Sequence, residues 1–572
     1  MKFHKFTLFS VCLLTSARGL FADTPIINID ERSMGVEINV TSPYDTVPPA
    51  GHLPVIAVIK NRTVNDLTWN LNFSGDYSST GIATPIRLTV PAGKEKAFAL
   101  SIPITPQDEA NMPRMHLTMN GPAAPDIQGY MSGGWFGDTS VTTVTDYFLI
   151  SEELARATMP EMDTQFKAGR MKGYGSRFDA ANLSRDWRDL AGAVSIFITP
   201  EEYGRLDGLQ RTALETWLNQ GGRLHFAGET ATESEIPQLV PEAKFIASVW
   251  RLGAGVITVN AAPKGLLPPA QVKSFVHGRS DGLSDALEAN YHSNGFLNEG
   301  IAAPGLHEGM LMTIAFAFAI AVAPLNLIIL AKRRQRHLLF LTVPALSLLA
   351  SVALGAAIFI GDGVGGKGNR ASLVIFHTGQ TQKTVIAEEL SVTGLLIGSD
   401  FEVSPTAMTM PASRSSGNNS GSLVLKALPS GERSGQWYAS RSQRAMLAQD
   451  VRSTREKVSL IRDGEKIQAL SQCESGFDTL LIRSGDQKWY LATNVTTGVP
   501  SDLQEISASE ASENWGTIVA SGGPRARQIL DPSRGQENVF IATGSAAASD
   551  RIPTLKGIHF VEKTIFTGPV AP

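Results

Sequence analysis

The sequence predicts a multidomain chain built around a membrane hairpin. It reads as an N-terminal antiparallel β-sandwich, an α/β domain, two transmembrane α-helices and a C-terminal mostly-β domain. Three observations carry this. Residues 309–331 and 338–360 are apolar runs free of Asp, Glu, Lys and Arg. Each is long enough to cross a hydrocarbon core about 30 Å thick as a helix. Short segments of alternating apolar and polar residues recur before Thr105 and again from Ala371 onward, while strand-then-helix patterning fills residues 143–262.

The chain opens with a basic stretch at Lys2, His4 and Lys5, an apolar core at residues 6–14, and Leu20-Phe-Ala22 ahead of Asp23. This is the form of a signal peptide over residues 1–22. An uncleaved anchor is the alternative, and both export the next segment. Residues 23–137 form the sandwich. Val36-Glu-Ile-Asn-Val40, Trp69-Asn-Leu-Asn-Phe73 and Ile86-Arg-Leu-Thr-Val90 alternate, and Val55-Ile-Ala-Val-Ile59 reads as buried. Short strands at this spacing predict an immunoglobulin-like arrangement. Asn61-Arg-Thr63 is a turn and also a glycosylation sequon. Residues 106–138, rich in Gly, Pro, Met and Asn, read as a connection or irregular edge.

Residues 138–305 form the α/β domain. Tyr147-Phe-Leu-Ile150 precedes an acidic helix start, and Ala193-Val-Ser-Ile-Phe-Ile198 is an apolar strand. Thr199-Pro-Glu-Glu202 has the form of a capping box with Pro at the first helical position. Asp207 caps the next helix, in which Leu209, Ala213, Leu214, Trp217 and Leu218 share one face. Gly221-Gly222 ends it, and Arg223-Leu-His-Phe-Ala227 is the next strand. Strand–helix–strand order predicts a parallel, covered sheet. Residues 263–305 read as a mixed tether into the membrane.

The hairpin comprises helix 309–331, turn 332–337 and helix 338–360. Lys332, Arg333, Arg334 and Arg336 crowd into the turn. Short Lys/Arg-rich loops stay cytoplasmic, so both large flanks are expected on the far side. A buried hairpin of a soluble protein is the competing reading, and two adjacent charge-free runs of this length argue against it. Pro324 predicts a kink, and Asn326 is placed to hydrogen-bond the second helix. Residues 361–572 return to short strands such as Leu373-Val-Ile-Phe376 and Trp489-Tyr-Leu491, with one or two short helices. Residues 413–422 are a Ser/Gly/Asn-rich loop. Arg441, Arg444, Arg452 and Arg455 suggest a solvated helix or loop, or a site for an anionic partner.

Residues 193–228, with Pro324-Leu-Asn326, the basic cluster and Phe340-Leu-Thr-Val-Pro344, resemble an uncharacterised bacterial membrane-protein family. Its members carry an exported class I glutamine-amidotransferase-like domain and a two-helix hairpin. The resemblance covers about residues 140–360. It implies a flavodoxin/amidotransferase-like α/β fold, flanking secreted β modules and the bacterial inner membrane, but no established activity. A working amidotransferase needs a Cys nucleophile. The only cysteines are Cys12, in the leader, and Cys473, so the domain is expected to be catalytically inactive.

No other motif supplies chemistry. Gly361-Asp-Gly-Val-Gly-Gly-Lys-Gly368 approaches a phosphate loop but ends in Gly368 where Ser or Thr must hold magnesium; it reads as a flexible linker. Asp138-Thr-Ser140-Val-Thr142 is a weak match to a metal-adhesion signature and lacks a leading strand. His225 lies within a strand and reads as packed or edge-exposed. Glu201 and Glu202 are explained by a helix start. The sequence therefore assigns no catalytic, cofactor-binding or metal-binding residue and no cofactor. A net charge of −4 gives no reason to expect nucleic acid. The expected function is a non-enzymatic, membrane-anchored envelope protein of binding or scaffolding type. Its partners would be the lipid bilayer and other envelope proteins. The alternative is a receptor for a small molecule or glycan, bound at the loops after Ile198 and Ala227. A cell-wall hydrolase is the third reading.

Overall fold

A computed structural model describes residues 24–31, 34–75, 82–106, 113–132, 147–167, 174–229, 231–246, 249–276, 282–289, 291–301, 308–332, 338–379, 381–412, 423–427, 433–463, 466–534 and 536–571. The leader, the Asp138–Thr142 motif, Arg333, Arg334 and Arg336 of the turn, and loop 413–422 lie outside the described residues.

The N-terminal module contains β1 (Thr24–Glu31), β2 (Val36–Ser42), β3 (Gly51–Asn61), β4 (Leu67–Ser74), β5 (Ile82–Val90), β6 (Glu95–Ile104), β7 (Arg114–Gly121) and β8 (Ala124–Ser132). One sheet runs β1-β2-β3-β6 and the other contains β5-β4-β7-β8. Strict alternation decides which face is inward: Ile38 and Val40 on β2, and Trp69, Leu71 and Phe73 on β4, are buried and share one core. The β7–β8 hairpin occupies a stretch expected to be irregular. Its alternation is carried by Met115, Leu117 and Met119, all buried, and methionine is a weak strand signal.

The α/β module contains β9 (Tyr147–Ser151), α1 (Glu152–Lys167), β10 (Tyr174–Phe178), β11 (Ser195–Ile198), α2 (Pro200–Arg205), α3 (Gly208–Asn219), β12 (Arg223–Gly228), β13 (Lys244–Ile246), β14 (Val249–Leu252) and β15 (Gly255–Ala261). The sheet order is β10-β9-β11-β12-β15-β14-β13. The strands from β10 to β15 in that order are parallel, and β14 and β13 add antiparallel pairs at the edge. Both expected caps form: Thr199 with Glu202, and Asp207 with Gln210. Leu209 departs from the expected buried face and is 62% exposed. In the first turn of α3 the inward position belongs to Gln210, whose amide donates to the carbonyls of Ala181 and Leu183, both at 3.0 Å. The expected tether contains helices Pro269–Val276, Leu283–Glu288 and Gly295–Asn298.

Two apolar helical spans come next, each long enough to cross a membrane. The first runs through helix Glu308–Ile320, a π turn at Ala321–Leu325 holding Pro324, and helix Asn326–Lys332; the second is Leu339–Asp362. Pro324 lacks an amide proton, so the wider π turn falls there. Asn326 donates from Nδ2 to Thr342 Oγ1 of the second helix at 2.8 Å. Phe316, Phe340, Leu341 and Leu348 are 68% exposed or more. A soluble core hairpin would bury them.

The C-terminal module contains β16 (Gly366–Phe376), β17 (Gln382–Thr393), β18 (Asp400–Val403), β19 (Met408–Ala412), β20 (Leu423–Ala427), β21 (Arg433–Gln436) and β22 (Gln443–Ser453), with later strands ending in Ile558–Ala571. The expected flexible linker is instead an ordered joint: Gly366 begins β16, and Gly368 packs on Phe560. The arginine-rich segment is a strand. β22 lies between β17 and β19, and its buried residues 445–450 outweigh the flanking charges. Arg452 Nε donates to Asp450 at 2.8 Å.

The halves before and after the hairpin fold together. β20 pairs in parallel with β5, so strands β18, β21 and β20 extend the second sheet of the N-terminal sandwich. One core cluster includes Ile38, Phe197 and Leu447. Polar contacts seal the seam. Gln220 meets Gln449 and Thr384. Asn369 Nδ2 donates to the carbonyls of Phe296 and Glu299 at 2.9 and 2.7 Å. Glu388, wholly buried, accepts from Tyr291 and from the backbone N–H groups of Arg525 and Ala526, at the start of helix Pro524–Ser533.

Candidate functional site

The loop leaving β10 builds the candidate site. Asp179 ends the strand by accepting the Ala181 amide at 3.0 Å. Ser184-Arg-Asp-Trp-Arg-Asp189 comes after it. Asp186 caps a short 3-10 turn, and the Arg188 guanidinium folds back onto it. Arg188 also donates to the carbonyls of Pro405 and Ala407, at 2.6 and 3.2 Å, which ties the loop to the C-terminal module. Trp187 is buried and anchors the turn.

Asp189 is 5% exposed. Its carboxylate accepts from Ser101 and Ser184, both at 2.6 Å. Burial, followed by the neighbouring Asp186 charge, lifts its pKa to about 7; the two hydroxyls and Arg188 oppose that. Ser101 Oγ lies 2.8 Å from His52 Nδ1. With Asp189 ionised, Ser101 donates its one proton to it, and Nδ1 is then the donor to Ser101. His52 has no exposed surface, and burial, then Arg433 and Arg188, pushes its pKa well down. Its Nε2 has no partner among the described residues.

Ser101, Ser184, Asp186, Arg188 and Asp189 border a cleft of about 610 Å³ where all three modules meet; His52 reaches it only through Ser101. Pro54, Ile86, Leu100 and Leu425 give it an apolar wall, and the largely buried Arg433 lines it as well. Burial, followed by Arg188, lowers the Arg433 pKa to about 10, while Asp186 and Asp189 act in the other direction. No hydrogen bond or ion pair engages its guanidinium among the described residues. The chemistry on offer is recognition: a cation without a contacting anion, a carboxyl group near its titration point and an apolar surface. A nucleophilic triad requires the histidine to take the serine proton while the acid holds the other ring nitrogen. Here Ser101 lies between His52 and Asp189 and is spent on the acid.

The residues singled out in the sequence lie elsewhere. His225 is packed, stacked on Phe197 at 4.6 Å between centroids and bonded to Thr258 and Ser195; burial drops its pKa to about 3. Glu202 is absorbed by its capping box. Asn61 is buried and donates to Asn65 and Val90 carbonyls. Cys473 is buried, which raises its pKa to about 12. The loops after Ile198 and Ala227 do not line the cleft. Among the described residues no group of three His, Cys, Asp or Glu side chains is placed to hold a metal. Sequence reasoning missed His52, Ser101, Asp189 and Arg433. The one available signal was the alternating charge around Trp187 in a loop.

No family model and no curated protein matches the chain. Among solved structures, a Bacteroides uniformis β-glucuronidase aligns with a TM-score of 0.15 and 13% identity, over 35% of this chain and 24% of that one. A Paenibacillus cycloisomaltooligosaccharide glucanotransferase aligns with a TM-score of 0.16 and 10% identity, over 32% of this chain and 27% of the other. The chain thus spans about a quarter of these proteins' length, and likeness at that level carries no argument.

Proposed function

We propose that this chain is a non-enzymatic binding or scaffolding protein of the bacterial envelope. The hairpin anchors it in the inner membrane, and its flanking modules form one body on the periplasmic side. The observation that carries the reading is the seam: both flanks share a sheet and a core, while the helices between them show an uncovered apolar surface. Such a molecule has one rigid exported surface on a membrane anchor. The basic turn supports the orientation. The strand order β10-β9-β11-β12-β15 supports a flavodoxin/amidotransferase-like α/β module. Thr199, next to Pro200, occupies the β11-to-α2 step where an acyl-transfer nucleophile would need a thiol, which supports a binding rather than an acyl-transfer role.

Mild-detergent extraction of the full chain, tagged at Pro572, tests the proposal. A near-stoichiometric envelope protein should co-purify; a monodisperse monomer with no partner would contradict the scaffold reading. The cleft favours a second reading, reception of a small molecule or glycan. A ligand screen should then raise the melting temperature of the full chain, and Arg433→Ala should abolish the rise.

A further inference from the structure

The apolar surface continues past the end of the second membrane helix. Gly363 caps that helix at φ 71°, with its N–H on the Phe359 carbonyl at 3.1 Å. Val364 then forms an isolated bridge with Leu395. Three backbone hydrogen bonds reinforce it: Gly365 N to Leu395 O at 2.9 Å, Leu395 N to Gly363 O at 3.0 Å, and Gly394 N to Gly365 O at 2.7 Å. The loop between β17 and β18 is therefore fixed within a few residues of the membrane exit. Ser440 Oγ accepts the Leu396 amide at 2.9 Å, and Leu396 packs on the C-terminal core. Its neighbours turn outward: Ile397 is 90% exposed, Val364 50% and Leu395 44%. Lys367 and Lys556 are exposed around the same joint, since Gly366 N donates to the carbonyl of Gly557 at 2.8 Å. Arg441, half-buried, donates its amide to Gly394 O at 3.0 Å.

Asp400 is exposed three residues beyond Ile397. An exposed apolar tip with Lys367 and Lys556 exposed on the adjoining segments is the pattern of an interfacial membrane contact. The tip enters the acyl boundary and the cations meet anionic headgroups. We propose that Val364, Leu395 and Ile397 dock into the leaflet from which the hairpin emerges, so that the exported body is seated on the bilayer and not merely tethered to it. Continuity with the membrane-spanning surface selects lipid as the occupant. This rests on the membrane-anchor reading.

The test uses the full chain in nanodiscs of phosphatidylethanolamine and phosphatidylglycerol. Cys473 is buried, so with Cys12→Ser in every variant an environment-sensitive fluorophore can be placed selectively at Ile397→Cys, Phe316→Cys or Val64→Cys. Phe316 lies on the first membrane helix, and Val64, 89% exposed, lies on the sandwich. The Ile397 label should emit to the blue of the Val64 label and resist a water-soluble quencher, as the Phe316 label does. A water-like Ile397 label beside a lipid-like Phe316 label would overturn the docking and leave the anchor intact. A water-like Phe316 label would overturn both. With the probe moved to Val364→Cys, adding Ile397→Asp should reduce its protection; unchanged protection would contradict the role given to Ile397.

Discussion

The hairpin and the seam are the two places where the halves of this chain meet, and they are held in opposite ways. The helices are joined by little specific chemistry, of which Asn326 to Thr342 is one side-chain hydrogen bond. A bilayer removes the hydrophobic drive between apolar helices, since lipid tails are as apolar as leucine. The seam is dense with buried polar groups: Arg188 on two carbonyls, Asn369 closing a short helix, and Glu388 on a helix N-terminus. Each buried group costs free energy if its partner is lost. Registry between the halves is therefore specified at the seam, and on the proposed anchor reading the hairpin sets where the body sits.

The largest expected effect is at the seam. Glu388→Ala removes the acceptor for Tyr291 and for two amides of helix Pro524–Ser533. The loss should be about 4 kcal/mol or more, from unsatisfied donors and a lost cap, read as a fall in melting temperature with proteolytic opening of the seam. Next is Asp189. Its folded pKa, about 7, lies above the unfolded value near 4. The folded chain thus keeps a proton that the unfolded chain releases. The associated stabilisation is complete below about pH 4 and lost as pH rises to about 7, by up to about 4 kcal/mol. Asp189→Asn should flatten that slope in denaturant titrations at pH 5 and pH 8. His225 runs the other way. Lowered to about 3, it stabilises above about pH 6.5, and that stability is lost as pH falls toward 3. In the hairpin, Asn326→Leu should cost only about 0.6 kcal/mol, and a double-mutant cycle with Thr342→Val should give a coupling of that size. Leu209→Gln, on an exposed face, should change stability by less than about 0.5 kcal/mol.

Legibility in the sequence divides along the same line. The two apolar helical runs, the Thr199 capping box, the Asp207 cap and the strand–helix–strand unit are readable, because each is dictated by neighbours within one or two turns. Leu209 shows the limit. Periodicity places it inward, but the carbonyls of Ala181 and Leu183, about thirty residues away, recruit Gln210 instead. β22 is misread because the charges of Arg444 and Arg452 mask a strand buried by partners on both sides. The cleft is illegible for the same reason. His52, Ser101, Asp189 and Arg433 come from three modules, and no local pattern links them. The β5–β20 pairing joins segments that lie on opposite sides of the hairpin, so local patterns suggest two arms where the structure has one body.

Cutting the chain at the hairpin turn tests that claim most directly. A protease site inserted between Lys332 and Leu338, cleaved in detergent, severs the covalent link and leaves the seam untouched. The two fragments should migrate as one particle on size exclusion and unfold in a single transition, and Glu388→Ala should weaken that association. Fragments that separate on cleavage, or that melt independently, would show that the halves are joined only through the hairpin.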